Sequence, residues 1–172
     1  MKPFHFRFAL VVLCVVVALA PLARAATQAL NGGSGLPLPR FVSLRTDEAN
    51  LRSGPGTRYP VDWVYTRRDL PVEVIAEFEA WRKIRDWQGT EGWLHETFLS
   101  PKRTIVVTGE RRRLRADPDD KSPALALLEP NVVAKLLTCP HQQNYCRVEV
   151  QNVQGWLQRN EFWGVYPGEY LE

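Results

Sequence analysis

Two motifs recur at one fixed distance, and that distance constrains the fold more than any other feature of the chain. Leu51-Arg52-Ser53-Gly54-Pro55 is echoed by Leu114-Arg115-Ala116-Asp117-Pro118, Pro60 by Pro123, and Gly92-Trp93-Leu94 by Gly155-Trp156-Leu157, every pair at the same offset. A constant offset across separate motifs marks an internal duplication, so the chain carries two copies of one small unit. Units of this size lie near the lower limit for an independent core, and the two are expected to pack side by side.

The composition of the unit is that of a β structure. Residues 41–45, 50–52, 61–65, 71–78, 81–87 and 91–95 are short extended runs in which apolar residues alternate with charged ones. Gly54-Pro55-Gly56 separates two of them. Glycine admits positive φ, and the proline ring fixes its own φ in the turn range, so the triplet predicts a tight reversal. Gln88-Gly89-Thr90 predicts a hairpin turn, and Thr97-Phe98-Leu99 one short helical turn. The second copy repeats the plan through 104–108, 113–115, 125–128, 132–138 and 147–150, with Asn152 in place of Gly89. Phe162-Trp163-Gly164-Val165-Tyr166 is an aromatic tail suited to cover an open barrel end or the seam between copies. No amphipathic helix of ordinary length follows residue 26, so the expected fold is all-β, two tandem small antiparallel barrels. The expected divisions are an export signal over 1–25, a flexible leader over 26–39, a first unit over 40–100, a linker over 101–103, a second unit over 104–166 and a tail over 167–172.

The amino terminus reads as a secretory signal. Lys2 and Arg7 precede an apolar run from Phe8 to Ala20, too short for a comfortable membrane span, and Ala23-Arg24-Ala25 fits a cleavage site. An uncleaved anchor is the other reading; otherwise contact with a membrane ends with cleavage. The whole chain has 22 Lys+Arg against 19 Asp+Glu. Losing Lys2, Arg7 and Arg24 with the leader brings the two into balance, which removes the electrostatic basis for binding nucleic acid or another polyanion. Arg111-Arg112-Arg113 is followed closely by Asp117, Asp119 and Asp120 and reads as a solvated strand face.

Asn50-Leu51-Arg52-Ser53-Gly54-Pro55-Gly56, then Trp81-Arg82-Lys83-Ile84 and Glu91-Gly92-Trp93-Leu94, resembles the bacterial SH3-like domain family of exported proteins. The second copy is similar but diverged: Ala116-Asp117-Pro118-Asp119 lacks both turn glycines, Arg113 replaces Asn50, and Tyr145 stands near the Trp81 position. The resemblance implies two five-stranded barrels that bind cell-wall peptidoglycan or a protein of the periplasm or envelope, with no chemistry or cofactor of their own.

Cys139 and Cys146 flank a short turn, and in an oxidising compartment a disulfide is the expected outcome. A metal site built from Cys139, His141 and Cys146 would have only three ligands and no standard spacing. No activated nucleophile, phosphate loop or paired carboxylates stand out, so a small cell-wall hydrolase is the weakest reading, behind a wall-binding module and a periplasmic adaptor. Gly54, Pro55, Gly56, Trp81, Gly92, Trp93, Gly155 and Trp156 are assigned to turns and core. Arg52, Arg58, Tyr59, Trp63 and Trp87 are the candidate ligand surface: Trp87 alternates with Lys83 and Arg85 and should face outward, and the arginines suit a carboxylate.

Overall fold

The computed structural model describes residues 33–172; the segment read as an export signal, with Cys14, lies outside the described residues. Strands β1 (Arg40–Leu44), β2 (Ala49–Arg52), β3 (Val61–Tyr65), β4 (Pro71–Phe78), β5 (Trp81–Arg85), β6 (Glu91–His95) and β7 (Leu99–Ser100) form the first unit, with a 3-10 turn at Glu96–Phe98 before β7. Strands β8 (Thr104–Val107), β9 (Arg112–Arg115), β10 (Ala124–Leu128), β11 (Val133–Thr138), β12 (Tyr145–Val150), β13 (Val153–Gln158) and β14 (Phe162–Trp163) form the second. Strand order is β3-β2-β6-β5-β4-β1-β7 in one and β10-β9-β13-β12-β11-β8-β14 in the other, the same path twice.

Each unit is a seven-stranded antiparallel sheet, not the closed five-stranded barrel expected from sequence. The reason is at β1. After the 3-10 turn the chain comes back along it, pairing Ser43 with Ser100 and Leu44 with Leu99, so the free edge of β1 is taken by β7. At the other end β2 meets β6 through a single residue pair, Arg52 and Trp93. Among the described residues no helix is long and apolar enough to cross a membrane.

The duplication extends to individual hydrogen bonds. Ser53 N donates to Pro60 O at 3.1 Å and Ala116 N to Pro123 O at 3.0 Å. Gly56 N donates to Gly54 O at 3.0 Å and Asp119 N to Asp117 O at 2.8 Å. Asp69 and Asn131 occupy the left-handed region at φ 61° and 66°, as do Gly89 and Asn152 at 86° and 68°. Asparagine tolerates that conformation better than most residues, which is why Asn152 can stand in for the turn glycine.

Both cores are chiefly aliphatic. Leu44, Leu51, Val72, Val74, Ile84 and Leu94 fill the first; Ile105, Val107, Leu114, Val148 and Leu157 lead the second. Trp81, Trp93 and Trp156, expected as core, are only half-buried. The pleat explains this: Trp81, Lys83 and Arg85 share one face of β5 and pair across β6 with His95, Trp93 and Glu91, while Ile84 opposes Gly92 on the inner face. Gly92 and Gly155 are there for space. A Cβ on Gly92 would lie 2.5 Å from Leu51 Cγ, and one on Gly155 2.6 Å from Leu114 Cγ.

The two units are joined by side chains as well as by the linker. Phe41 meets Trp163 edge-on at 4.7 Å and Tyr166 at 4.6 Å, so part of the aromatic tail covers the seam. The Tyr166 hydroxyl donates to Glu73 at 2.9 Å, Thr104 Oγ1 to Asp69 O at 2.7 Å, and Arg67 to Asn131 O at 2.6 Å. Burial and the Glu73 carboxylate both push the Tyr166 phenol upward, so it stays a donor. Ser34, in the segment read as a leader, donates through N and Oγ to Glu77, which also pairs with Arg40 and Arg82.

Cys139 and Cys146 form the expected disulfide and are fully buried in the second core. His141, the third ligand of the alternative metal site, stacks on Tyr170 at 3.9 Å instead.

The packing sets two expectations for stability. Gly92→Ala and Gly155→Ala should each lower unfolding free energy by about 1–3 kcal/mol through overpacking against the leucine beneath, read by urea denaturation. Reduction of the disulfide should cost about 2 kcal/mol, read as a lower denaturation midpoint in the presence of a thiol.

Candidate ligand-binding groove

The outer face of β5 and β6 runs into the β2–β3 loop and forms a groove there. Its inner part, about 250 Å³, is lined by Asn50, Arg52, Thr57, Trp81, His95, Thr97 and Phe98. A shallower part of about 560 Å³ adjoins it past Pro55, Gly56, Arg58, Phe78 and Glu79, with Thr57, Trp81 and His95 bordering both.

Each wall has a structural cause. The β2–β3 loop is held by Arg52, whose Nη1 donates to Thr57 O at 3.2 Å and Tyr59 O at 2.7 Å. Neither Gly54 nor Gly56 has positive φ, contrary to the expectation for this reversal. Gly54 is required by space: a Cβ there would lie 2.5 Å from the Tyr59 ring, which folds back over the loop. Arg58 sits over that ring at 5.1 Å and its Nη2 donates to the Tyr59 hydroxyl at 3.3 Å. On the opposite wall Trp81 and His95 meet edge-to-face at 5.4 Å. His95 Nδ1 lies 2.8 Å from Thr97 Oγ1 and 3.4 Å from Thr97 N, so the turn after β6 fixes the ring's orientation. Among the described residues no carboxylate forms an ion pair with the Arg52 or Arg58 guanidinium, and the one acid that lines the groove, Glu79, borders its shallower part.

The structure therefore brings together only part of the surface read from sequence. Arg52 and Arg58 line the groove, and Tyr59 supports its loop. Trp63 lies on the edge strand β3, 55% exposed, and lines neither part. Trp87 packs against the first core and lines a different cleft, near Phe41 and Tyr166. The outward alternation that should have exposed it ends at Arg85. Beyond it Asp86 is buried and accepts from Tyr65 Oη at 3.0 Å and from Gln88 and Thr90 N–H at 2.9 Å, which turns the chain. Trp81, His95, Asn50 and Thr57 were missed. The same alternation, applied to Trp81 with Lys83, would have found the first of them.

The second unit has the same positions but a different content. Arg113, Arg115, Asp120 and Gln158 stand one repeat after Asn50, Arg52, Thr57 and His95. Tyr145 pairs with Gln158 as Trp81 pairs with His95. Asp120 accepts from Tyr145 Oη at 2.7 Å and from Gln158 Nε2 at 2.5 Å, and Arg115 Nη2 lies 3.6 Å away. The Tyr145 hydroxyl first, then Gln158 and Arg115 against slight burial, hold the Asp120 carboxyl below its usual range. In the loop, Ser122 replaces Tyr59 and Asp117 replaces Gly54, and Ser122 Oγ accepts from Asp117 N at 2.9 Å.

The profile of the bacterial SH3 domain matches residues 45–101 and again residues 108–164. The chain belongs to the bacterial SH3 domain family. Each match covers one sheet apart from its first strand, β1 or β8, so the tandem arrangement inferred from the constant offset is one of paired SH3 domains. A search of curated proteins finds no significant match. Among solved structures the chain is similar to NlpC1 from Trichomonas vaginalis, with 11% identity over 77% of this chain and 48% of that one and a TM-score of 0.34. It is also similar to NlpC2 from the same organism, with 10% identity, 73% and 48% covered and a TM-score of 0.33. An NlpC/P60 family protein from Bacillus cereus gives 16% identity, 71% and 55% covered and a TM-score of 0.32. The chain spans about half the length of these structures.

The Gly54–Tyr59 contact of the first SH3 domain makes a paired prediction. Gly54→Asp alone should destabilise the protein by about 1–3 kcal/mol, because the new side chain meets the Tyr59 ring. Adding Tyr59→Ser, the pair found in the second domain, should recover part of that loss, and a thermal-unfolding double-mutant cycle reads the coupling.

Proposed function

We propose that the protein is an exported, non-catalytic binding module that holds cell-wall peptides in the groove of its first SH3 domain. The observation that carries this reading is the groove itself. An aromatic wall of Trp81 and His95 faces a loop bearing Arg52 and Arg58; among the described residues neither arginine is in an ion pair, and no acid lines the inner part of the groove. Aromatic side chains supply rigid contact area at low entropic cost, and guanidinium groups pair with the carboxylates that wall peptides present. Export is supported by the signal-like amino terminus and by a buried disulfide, a linkage that persists in oxidising compartments. Membership of the SH3 domain family agrees with binding as the activity. The second domain braces the first through the Phe41 seam, and at its corresponding positions the exposed Asp120 pairs with Tyr145, Gln158 and Arg115.

The test is retention on purified wall sacculi. Wild-type protein should sediment with sacculi, and Trp81→Ala or Arg52→Ala should lower the bound fraction at least about tenfold. Trp63→Ala, outside the groove, should bind as wild type. Failure of the wild-type protein to sediment, or equal loss in Trp63→Ala, would remove the reading.

A further inference from the structure

The groove residues of the first domain have counterparts one repeat later, and the second domain shows what those positions can hold. Its Asp120 carboxylate lies against a hydroxyl from β12, an amide from β13 and a guanidinium from β9, at 2.7, 2.5 and 3.6 Å. The first domain has Trp81, His95 and Arg52 at the three corresponding places, all lining the groove and all side chains with N–H groups that can donate; Arg52 Nη1 is taken by the loop carbonyls of Thr57 and Tyr59. What it lacks is the acid. Thr57 stands at the Asp120 position and is exposed, with the groove open beside it.

We infer that the first groove receives the terminal carboxylate of a peptide chain, at the place corresponding to the surface position where the Asp120 carboxylate lies in the second domain. The second domain thus contains its own stand-in for the ligand. A carboxylate among indole N–H, imidazole and guanidinium is held by charge-assisted hydrogen bonds, stronger than neutral ones. The inner part of the groove has room for the carboxylate and its Cα substituent, and the adjoining trough past Pro55 and Arg58 has room for the residues that precede it. This inference rests on the wall-peptide reading only for the choice of a peptide as the carrier of the carboxylate.

The experiment uses the mature protein and three probes, followed by tryptophan fluorescence and calorimetry. These are an acetylated alanine tripeptide with a free carboxylate, its carboxy-terminal amide, and an acetyl-Ala-Glu-Ala amide whose only acid is a side chain. The free acid should bind at least about tenfold more tightly than either amide. Thr57→Asp, which installs the second domain's acid in the first, should weaken binding of the free acid by a similar factor, and Thr57→Asn, equal in size but uncharged, by much less. Unfolding curves confirm that both variants fold, and the comparison of acid with amide on the wild-type protein stands without them. Equal affinity for acid and amide, no binding of the acid at millimolar concentration, or an unaltered affinity in Thr57→Asp would overturn the inference; tighter binding of the Glu-bearing amide would replace the chain end with a side-chain carboxylate and overturn it too. Sacculus retention with no preference for the acid sinks this inference and leaves wall binding standing. A preference for the acid without sacculus retention does the reverse.

Discussion

In both halves of the molecule a leucine lies directly beneath a glycine, and much of the rest depends on that contact. Leu51 under Gly92 and Leu114 under Gly155 let β2 approach β6, and β9 approach β13, closely enough to pair, although each joint is a single residue pair. A methyl group at either glycine would occupy space already held by the leucine side chain. The joint decides where the curled sheet brings its far strands together, and so it sets Arg52 beside Trp93 on the outer face, at the edge of the groove. It also explains why Gly-Trp-Leu recurs intact while the reversal loop has drifted. The inner-face glycine has no substitute, whereas the loop can be rebuilt.

The loop shows how such rebuilding keeps a backbone while changing a surface. In the first domain Tyr59 folds over Gly54, and the glycine is needed because the ring occupies the volume of its Cβ. In the second, Ser122 leaves that volume free, Asp117 takes it, and the two are hydrogen-bonded. The backbone bonds across the loop join corresponding residues in both copies. The exchange from Thr57 to Asp120 lies within the same loop and alters the groove, not the fold. In one copy the arginines of the loop have no acid partner; in the other the arginine, tyrosine and glutamine gather around an exposed acid of the chain's own.

The seam gives the second copy a role independent of any ligand. Phe41 at the start of the first domain packs on Trp163 and Tyr166 at the end of the second, and Arg103 of the linker lies over the Phe41 ring at 5.7 Å while pairing with Glu169. Leu171 bridges back to Cys139, beside the disulfide. Two small domains, each with limited apolar area to bury, are thereby joined into a larger packed unit, as small size demands.

The repeat, the all-β class, the turn at Gly89 and the disulfide were legible in the sequence, because each depends on residues close along the chain or on a copied pattern. The Cys139–Cys146 pair flanks one turn, and Asn152 announces itself by standing at a glycine's position. The open seven-stranded sheet was not legible, since it depends on Leu99 and Ser100 finding the edge of a strand from the far end of the same domain. The groove was legible only in part. Arg52 and Arg58 belong to a recognisable loop motif, but size alone placed Trp81 in the core, and only the pairing of β5 with β6 turns it outward beside His95. Local spacing thus determined the elements and their duplication. The tertiary structure decided which face each tryptophan occupies and which arginines remain unpaired, because both depend on strands brought together from distant parts of the chain.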